Sequence, residues 1–529
     1  MKQKIIISTL AFTLLLLLNS CTNKSYTPIS YSSGIISPWD TQQVELEKEV
    51  KMPVEYPQVF SRESSLFGYN PRFMPASVTF TKANRPVMRF GLEGELGEYH
   101  TPLGQRSYKE KNFIQYLGND GRWYTTESHV EAVREYLKLK ASQKLEIHTG
   151  NRSYQRVEFD LDGHAYTMIK CLANKKSYMF LLYSADEMKS WQVIEPAEHG
   201  DWRIESYQTH NLSAKPPVLV APARSKSEIL LLIPQKKNGK ISLTHSVKIP
   251  VGKQIGLHGT MAGAGNSSIS LEGKTYITYY STIAHATIAG TPQYIVSYDH
   301  KSGKIEGPVF LGVGGHRVDG HNSPVILADS KAHIHVLLGT HWHSMVHCVS
   351  KNPADISSWQ EAVYVAGNGD NSWSRNGITY PGFTIDKDDT LHLVVRGRNS
   401  HWVKSDVGSE RIMQGYPEHL DYALVYLRKK KNGLWEKRKD LVRPSHMAYS
   451  NWYHKISIDR HGMPYLTYMY YAHNLTKMEK EQYISKWGGT GENDAVSAHD
   501  PVLIRTSDCG DSWSIVRTPE LFESMDKNH

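Results

Sequence analysis

The segment Val325–Leu338 reads VILADSKAHIHVLL: an apolar run, a polar turn after Ala328, and a second run in which histidine alternates with apolar residues. A short apolar strand, a tight turn and a period-two return describe a β-hairpin with one buried face. The same form stands at Val157–Ile169 (VEFDLDGHAYTMI), Ser268–Tyr280 (SISLEGKTYITYY), Phe383–Val395 (FTIDKDDTLHLVV) and Ile456–Tyr471 (ISIDRHGMPYLTYMYY). Weaker copies, ASVTFTKANRPVMRF from Ala76 and PVLVAPARSKSEILLLI from Pro217, bring the number to seven.

A second element alternates with these hairpins. It is a polar turn running into Trp or an apolar strand, and it occurs at Trp123, Trp191, Gly239, Gly303, Trp359, Trp435 and Trp513. Two hairpins per repeat give a four-stranded antiparallel sheet. Seven such sheets set radially make an all-β, seven-bladed β-propeller, which protects its strand edges by repetition. The last ending, TSDCGDSW, matches an Asp-box turn through Thr506, Asp508, Gly510, Ser512 and Trp513, and SADEMKSW at Ser184–Trp191 is a degraded copy. Such boxes are turns; they speak for the fold and say little about chemistry. The one sizeable helical pattern, from Glu127 to Ile147, reads as an insertion between the first two blades of a propeller domain spanning residues 61–529.

The chain opens with two lysines and an apolar run from Ile5 to Leu18 that ends in Asn19-Ser20-Cys21. The run falls short of the roughly 20 residues that span a bilayer, so residues 1–20 read as an export signal. The ending at Cys21 is similar to a bacterial lipoprotein box, which implies lipidation of that cysteine and an outer-membrane lipoprotein at the cell surface or facing the periplasm. Residues 21–60, with scattered Pro and Ser, read as a tether leading into the first blade. Cys171, Cys348 and Cys509 form an odd set without metal or redox spacing, which does not describe a disulfide framework. The net charge of +8 is spread along the chain, which argues against a nucleic-acid site and suits a polyanionic substrate. Thirty-one tyrosines suit β-structure and surfaces on which sugars stack.

In a propeller the first strand of each inner hairpin begins, and the second ends, on one face near the axis, so residues of successive blades converge there. In the fifth blade these positions hold DGHN, with His321 and Asn322, and THWH, with His341, Trp342 and His343. The sixth has Tyr380 in TYPGF and Arg396 and Arg398 in VVRGR; the seventh has Trp452, Tyr453 and His454 in NWYHK. Aligning the turns at Asp329 and Asp386 superposes His341 on Arg398. His333 and His335 fall mid-hairpin and read as structural. A glycosidase needs two carboxyl groups, and Asp319 and Asp386 read as turn residues. β-Elimination on a uronic acid fits better: Arg neutralises the carboxylate, and a Tyr or His takes the C5 proton while the other protonates the leaving oxygen.

DGHN followed by THW, YPGF and VVRGR resembles the site of the β-propeller ulvan lyases of polysaccharide lyase families 24 and 25, across roughly residues 310–475. The resemblance implies a secreted lyase cleaving a sulfated, uronate-containing polysaccharide. It makes His321 and Tyr380 the acid/base pair, Arg396 the carboxylate neutraliser and His341 a substrate-binding or stabilising residue. Asn322, Trp342, Arg398, Tyr453 and His454 complete the expected binding surface. The motif blade is fifth of seven, whereas the family is expected to carry it nearer the N-terminus. No cofactor or catalytic metal is expected, although the histidines leave room for a structural ion. A sialidase-like exo-glycosidase and a non-catalytic glycan-binding propeller are the competing readings.

Overall fold

The structure is a computed structural model; it describes residues 31–32, 42–43, 72–75, 77–93, 112–117, 123–147, 156–198, 200–252, 254–257, 266–366, 377–399, 421–442, 451–470, 500–506 and 508–515. The expected signal at residues 1–20 and Cys21 lie outside these. Seven small sheets stand in a ring as a seven-bladed propeller, and they follow the chain in order. Blade 1 lies between Arg72 and Thr126, blade 2 between Leu145 and Ile194, blade 3 between Arg203 and Pro250, and blade 4 between Ile255 and Gly314. Blade 5 lies between Val325 and Ala366, blade 6 between Ile378 and Val442, and blade 7 between Asn451 and Ile515. Two short lead-in strands, Tyr31–Ser32 and Gln42–Gln43, pair in parallel with the outer strands of blades 5 and 6.

The inner hairpins take the expected register, with Val325 opposite Leu337 and Phe383 opposite Leu393. Alternation then sends one side-chain set of each sheet against its neighbour. Val325, Leu337, Ile378, Phe383, Leu393 and Val425 form one such buried layer between blades 5 and 6. Each fully buried aliphatic or aromatic side chain contributes about 1.5–3 kcal/mol.

The hairpin turns share a device that spacing alone did not reveal. Asp160, Asp329, Asp386 and Asp459 each accept, on Oδ1, the backbone N–H four residues on, at 2.9, 2.8, 2.8 and 2.8 Å. Six residues after each Asp stands Tyr166, His335, His392 or Tyr465. Tyr166 Oη donates to Asp160 at 2.8 Å, and His335 and His392 reach Asp329 and Asp386 at 3.6 and 3.2 Å. In these three turns the carboxylate thus holds both the turn and a polar ring on the returning strand.

Both Asp boxes form. Ser512 N–H and Oγ bind Asp508 at 2.9 and 2.5 Å, while Ser190 N–H and Oγ bind Asp186 at 3.0 and 2.5 Å. Gly510 takes the left-handed φ of 92°, and in the degraded copy Met188 holds φ 67° in its place.

Two expectations are corrected. The helix covers only Ser128–Tyr136, ending where Lys138 turns left-handed at φ 53°; Leu145–Ile147, expected as helix, is a strand paired with Cys171–Ala173. In blade 3 the segment from Pro217 supplies the second and third strands, because the inner strand is Arg203–Ile204. The connection between Ile204 and Leu219 is a long loop rather than a tight turn. It crosses the ring to blade 6, where Gln208, Thr209 and His210 bond the carbonyls of Phe383, Ile385 and Asp386 at 3.3, 2.6 and 3.2 Å. Glu205 anchors its start, accepting from Asn211 and Ser270 side chains and the Val218 N–H.

Candidate active site

The seam between blades 5 and 6 is a continuous sheet at its mouth. His341–His343, the end of the inner hairpin of blade 5, pairs with the first strand of blade 6, so that His341 stands opposite Thr379, and Thr379 in turn stands opposite Arg396. Tyr380 follows Thr379 directly. It sits in a bulge, because Tyr380 and Pro381 together face Val395 between the pairs Thr379–Arg396 and Gly382–Val394. Proline, lacking an N–H, suits the unpaired bulge position. Tyr380 adopts φ 59°, a left-handed conformation that costs a bulky residue on the order of 1–3 kcal/mol. The bulge aims the ring at blade 5.

The result is a compact cluster. The rings of His321 and His341 stack with centroids 4.5 Å apart, and the Tyr380 ring lies 5.8 and 5.9 Å from them. Arg396, buried, places its Cζ 4.6 Å from the centre of the Tyr380 ring. Asp319 completes the cluster: Oδ1 binds His321 Nδ1 at 2.6 Å and Oδ2 binds His341 Nδ1 at 2.9 Å. Its carboxyl is held far below the usual range, first by the bond from His321 and then by that from His341. The His341 imidazole is lowered, chiefly by burial, against the raising influence of Asp319.

Of the expected residues, the structure brings His321, His341, Tyr380 and Arg396 together. Asn322 is placed beneath them: buried, its Nδ2 donates to Thr291 Oγ1 at 2.9 Å and the Gly314 carbonyl at 3.0 Å, so it buttresses the loop instead of facing a ligand. His454 is also buried, bonded through Nε2 to the Val394 carbonyl at 3.0 Å, with burial pulling its pKa down to about 3. It stands behind the cluster as a neutral prop. Trp342, Arg398 and Tyr453 lie on described strands, but their side chains are outside the described residues. Blade 7 repeats the bulge, with Tyr453 and His454 facing Tyr468, so Tyr453 occupies the strand position equivalent to Tyr380.

The remaining histidines of residues 316–347 form pairs. His316 Nδ1 and His343 Nε2 lie 2.7 Å apart. Trp435 Nε1–H donates to His347 Nδ1 at 3.3 Å, which leaves the His347 proton on Nε2 to donate to His335 Nδ1 at 3.0 Å. His333 binds Asp329 within its own turn at 3.1 Å. These are structural, as expected of His333 and His335. One carboxylate and two imidazoles at Asp319, His321 and His341 also make a donor set that a divalent cation accepts, and Asp160, Asp162 and His164 make another. In the second, the Lys236 ammonium already bridges Asp160 and Asp162 at 3.0 and 2.7 Å.

Asp319 is the group sequence reasoning missed. Its place two residues before His321 signals only a local turn, and it does accept the His321 N–H at 2.9 Å.

Comparison with known proteins gives one pattern. Residues 274–515 match the model of a BNR repeat-containing family member. An ulvan lyase of family PL25 from Pseudoalteromonas sp. (strain PLSV) is 29% identical over a region covering 23% of this chain and 29% of that protein. An ulvan lyase of Nonlabens ulvanivorans is 25% identical over 18% of this chain and 23% of its own. The chain therefore spans less than a third of the length of either relative. A solved structure of a PL25 ulvan lyase aligns over 49% of this chain and 56% of that one, at 18% identity and a TM-score of 0.32. The resemblance to the β-propeller ulvan lyases is thus found in the sequence comparison as well as in the motifs.

Proposed function

We propose that this chain is a polysaccharide lyase that cleaves a uronic-acid-containing, ulvan-like sulfated polysaccharide by β-elimination at the seam of blades 5 and 6. The observation that carries the proposal is the convergence of His321, His341, Tyr380 and Arg396 within one cluster. These residues lie inside the segment that matches the BNR repeat model.

The chemistry follows from the geometry. The proton at C5 of a uronate is weakly acidic until its carboxylate is neutralised, and Arg396 supplies fixed positive charge with planar donors for that purpose. His321, bound to Asp319 through Nδ1, offers Nε2 as the base. Tyr380 protonates the leaving O4, and the C4–O4 bond breaks as the C4–C5 double bond forms. His341 binds the same sugar. An electropositive chain favours approach of a polyanion. Asp319, kept ionised by its two histidines, is unsuited to serve as the protonated acid that a glycosidase needs.

The proposal extends to location: export through residues 1–20 and anchoring in the outer membrane through Cys21, supported by the lipobox-like sequence. Fractionation of a Cys21→Ala variant tests this, and unchanged membrane association would refute it. For the activity, uronate polymers are screened for the ultraviolet absorbance of an unsaturated uronate product. A rise with an ulvan-type polymer is expected, and no rise with any uronate polymer defeats the reading.

A further inference from the structure

We propose that Asp319 is a positioning residue that locks His321 and His341 as a matched pair, both protonated on Nδ1 and both presenting Nε2. The inference deepens the lyase reading and rests on it for the role of those Nε2 atoms.

Three observations lead to it. First, each carboxylate oxygen of Asp319 takes one Nδ1, at 2.6 Å from His321 and 2.9 Å from His341, and an ionised carboxylate only accepts, so each imidazole must place its hydrogen on Nδ1. The lone pair of each ring is then on Nε2. Second, Asp319 is itself fixed: its backbone N–H donates to Thr291 Oγ1 at 2.9 Å, and the same hydroxyl accepts from Asn322 Nδ2 at 2.9 Å. Buried Asn322 thereby helps to hold the backbone of Asp319 through Thr291. Third, the two rings stack at 4.5 Å, so the shared carboxylate sets the orientation of both together.

The two histidines are not equivalent. His321 is the more open, with its side chain 38% exposed against 25% for His341. Among the described residues, the Tyr380 ring of blade 6 faces both imidazoles, at 5.8 and 5.9 Å.

The test uses the full chain with ¹⁵N-labelled histidine, the two rings being assigned through His321→Gln and His341→Gln. Imidazole nitrogen shifts at neutral pH are expected to show the Nδ1–H tautomer for both. Asp319→Asn should redistribute the tautomers. In turnover it should cut kcat by about 10²–10⁴-fold with KM little changed. Asp319→Glu should recover part of the tautomer signal. Either ring in the Nε2–H tautomer in the native protein, an Asp319→Asn spectrum identical to the native one, or signals that change on chelation because the trio holds a divalent metal would overturn the proposal. The spectra need no turnover, so a protein with the expected tautomers and no lyase product refutes the function while leaving the clamp intact.

Discussion

Arg396 lies over the face of Tyr380, with Cζ 4.6 Å from the ring centre, and Tyr380 is held there in a left-handed backbone conformation at φ 59°. The cation and the phenol are therefore one unit. The π-face of the tyrosine supports the guanidinium that a substrate carboxylate would meet, and the hydroxyl projects from the ring edge.

Tyr380→Phe keeps that ring and removes only the hydroxyl. Steady-state kinetics on the responsive polymer should show kcat reduced by about 10²–10⁴-fold with KM within a few-fold of the parent. Near-normal product formation would remove Tyr380 from the proton-transfer chemistry.

Arg396→Lys should fail to rescue what Arg396→Ala loses. Lysine is a point charge that neither stacks on Tyr380 nor offers the planar fork a carboxylate accepts. Both variants should lower kcat and raise KM, since the charge acts on bound substrate and more strongly as the enolate develops. A lysine variant with parental kinetics would show that charge alone suffices.

Acid should unfold the protein early. Seven described histidines, His129, His300, His335, His341, His347, His392 and His454, have pKa values lowered mainly by burial. A histidine depressed in the folded state contributes fully above its unfolded pKa of about 6.5, and that contribution is lost as pH falls and the unfolded chain binds the proton. Glu205, raised by burial to about 7, and Glu158, also raised by burial, have the opposite sign, but they are two against seven. Tm should fall continuously from pH 7 to pH 5, with a slope in unfolding free energy of about 1.4 kcal/mol per pH unit for each net proton. A flat profile across that window would contradict these burials.

The ring is closed between its ends by Asn84 of blade 1, whose Nδ2 donates to Asp459 at 3.0 Å and whose Oδ1 accepts the Arg460 N–H at 2.7 Å. Asn84→Ala should cost about 1–3 kcal/mol in urea unfolding, with kcat and KM unchanged because the site lies on other blades. A loss of activity without loss of stability would be the contrary result.

Much of this was legible in the sequence, and the parts that were not share a cause. Blade order, the Asp boxes and the meeting of His321, His341, Tyr380 and Arg396 follow from period-two strands and repeated turns, which are local signals. Bulges are not local. Two residues facing one reverse the inward and outward faces beyond that point, which is why Tyr380 meets the cluster while His454, read as lying at the mouth, packs behind it against Val394. Asp319 was hidden differently: one oxygen makes a turn that spacing suggests, and the other reaches His341, 22 residues away, which no spacing reveals. The blade 3 loop was misread because its partners on blade 6 are about 176 residues distant.

That loop gives the ring a chord. Where the circumference is closed only by the contacts of neighbours, a break at the junction of chain ends would let the circle uncurl; here Gln208, Thr209 and His210 tie blade 3 to blade 6 across the diameter. The chord divides the circle into two arcs. One holds blades 3 to 6 and with them the whole histidine, tyrosine and arginine cluster; the other holds blades 7, 1 and 2 and the junction of the ends. Parting of the ends therefore strains the second arc first, and the seam of blades 5 and 6 lies on the arc away from that junction.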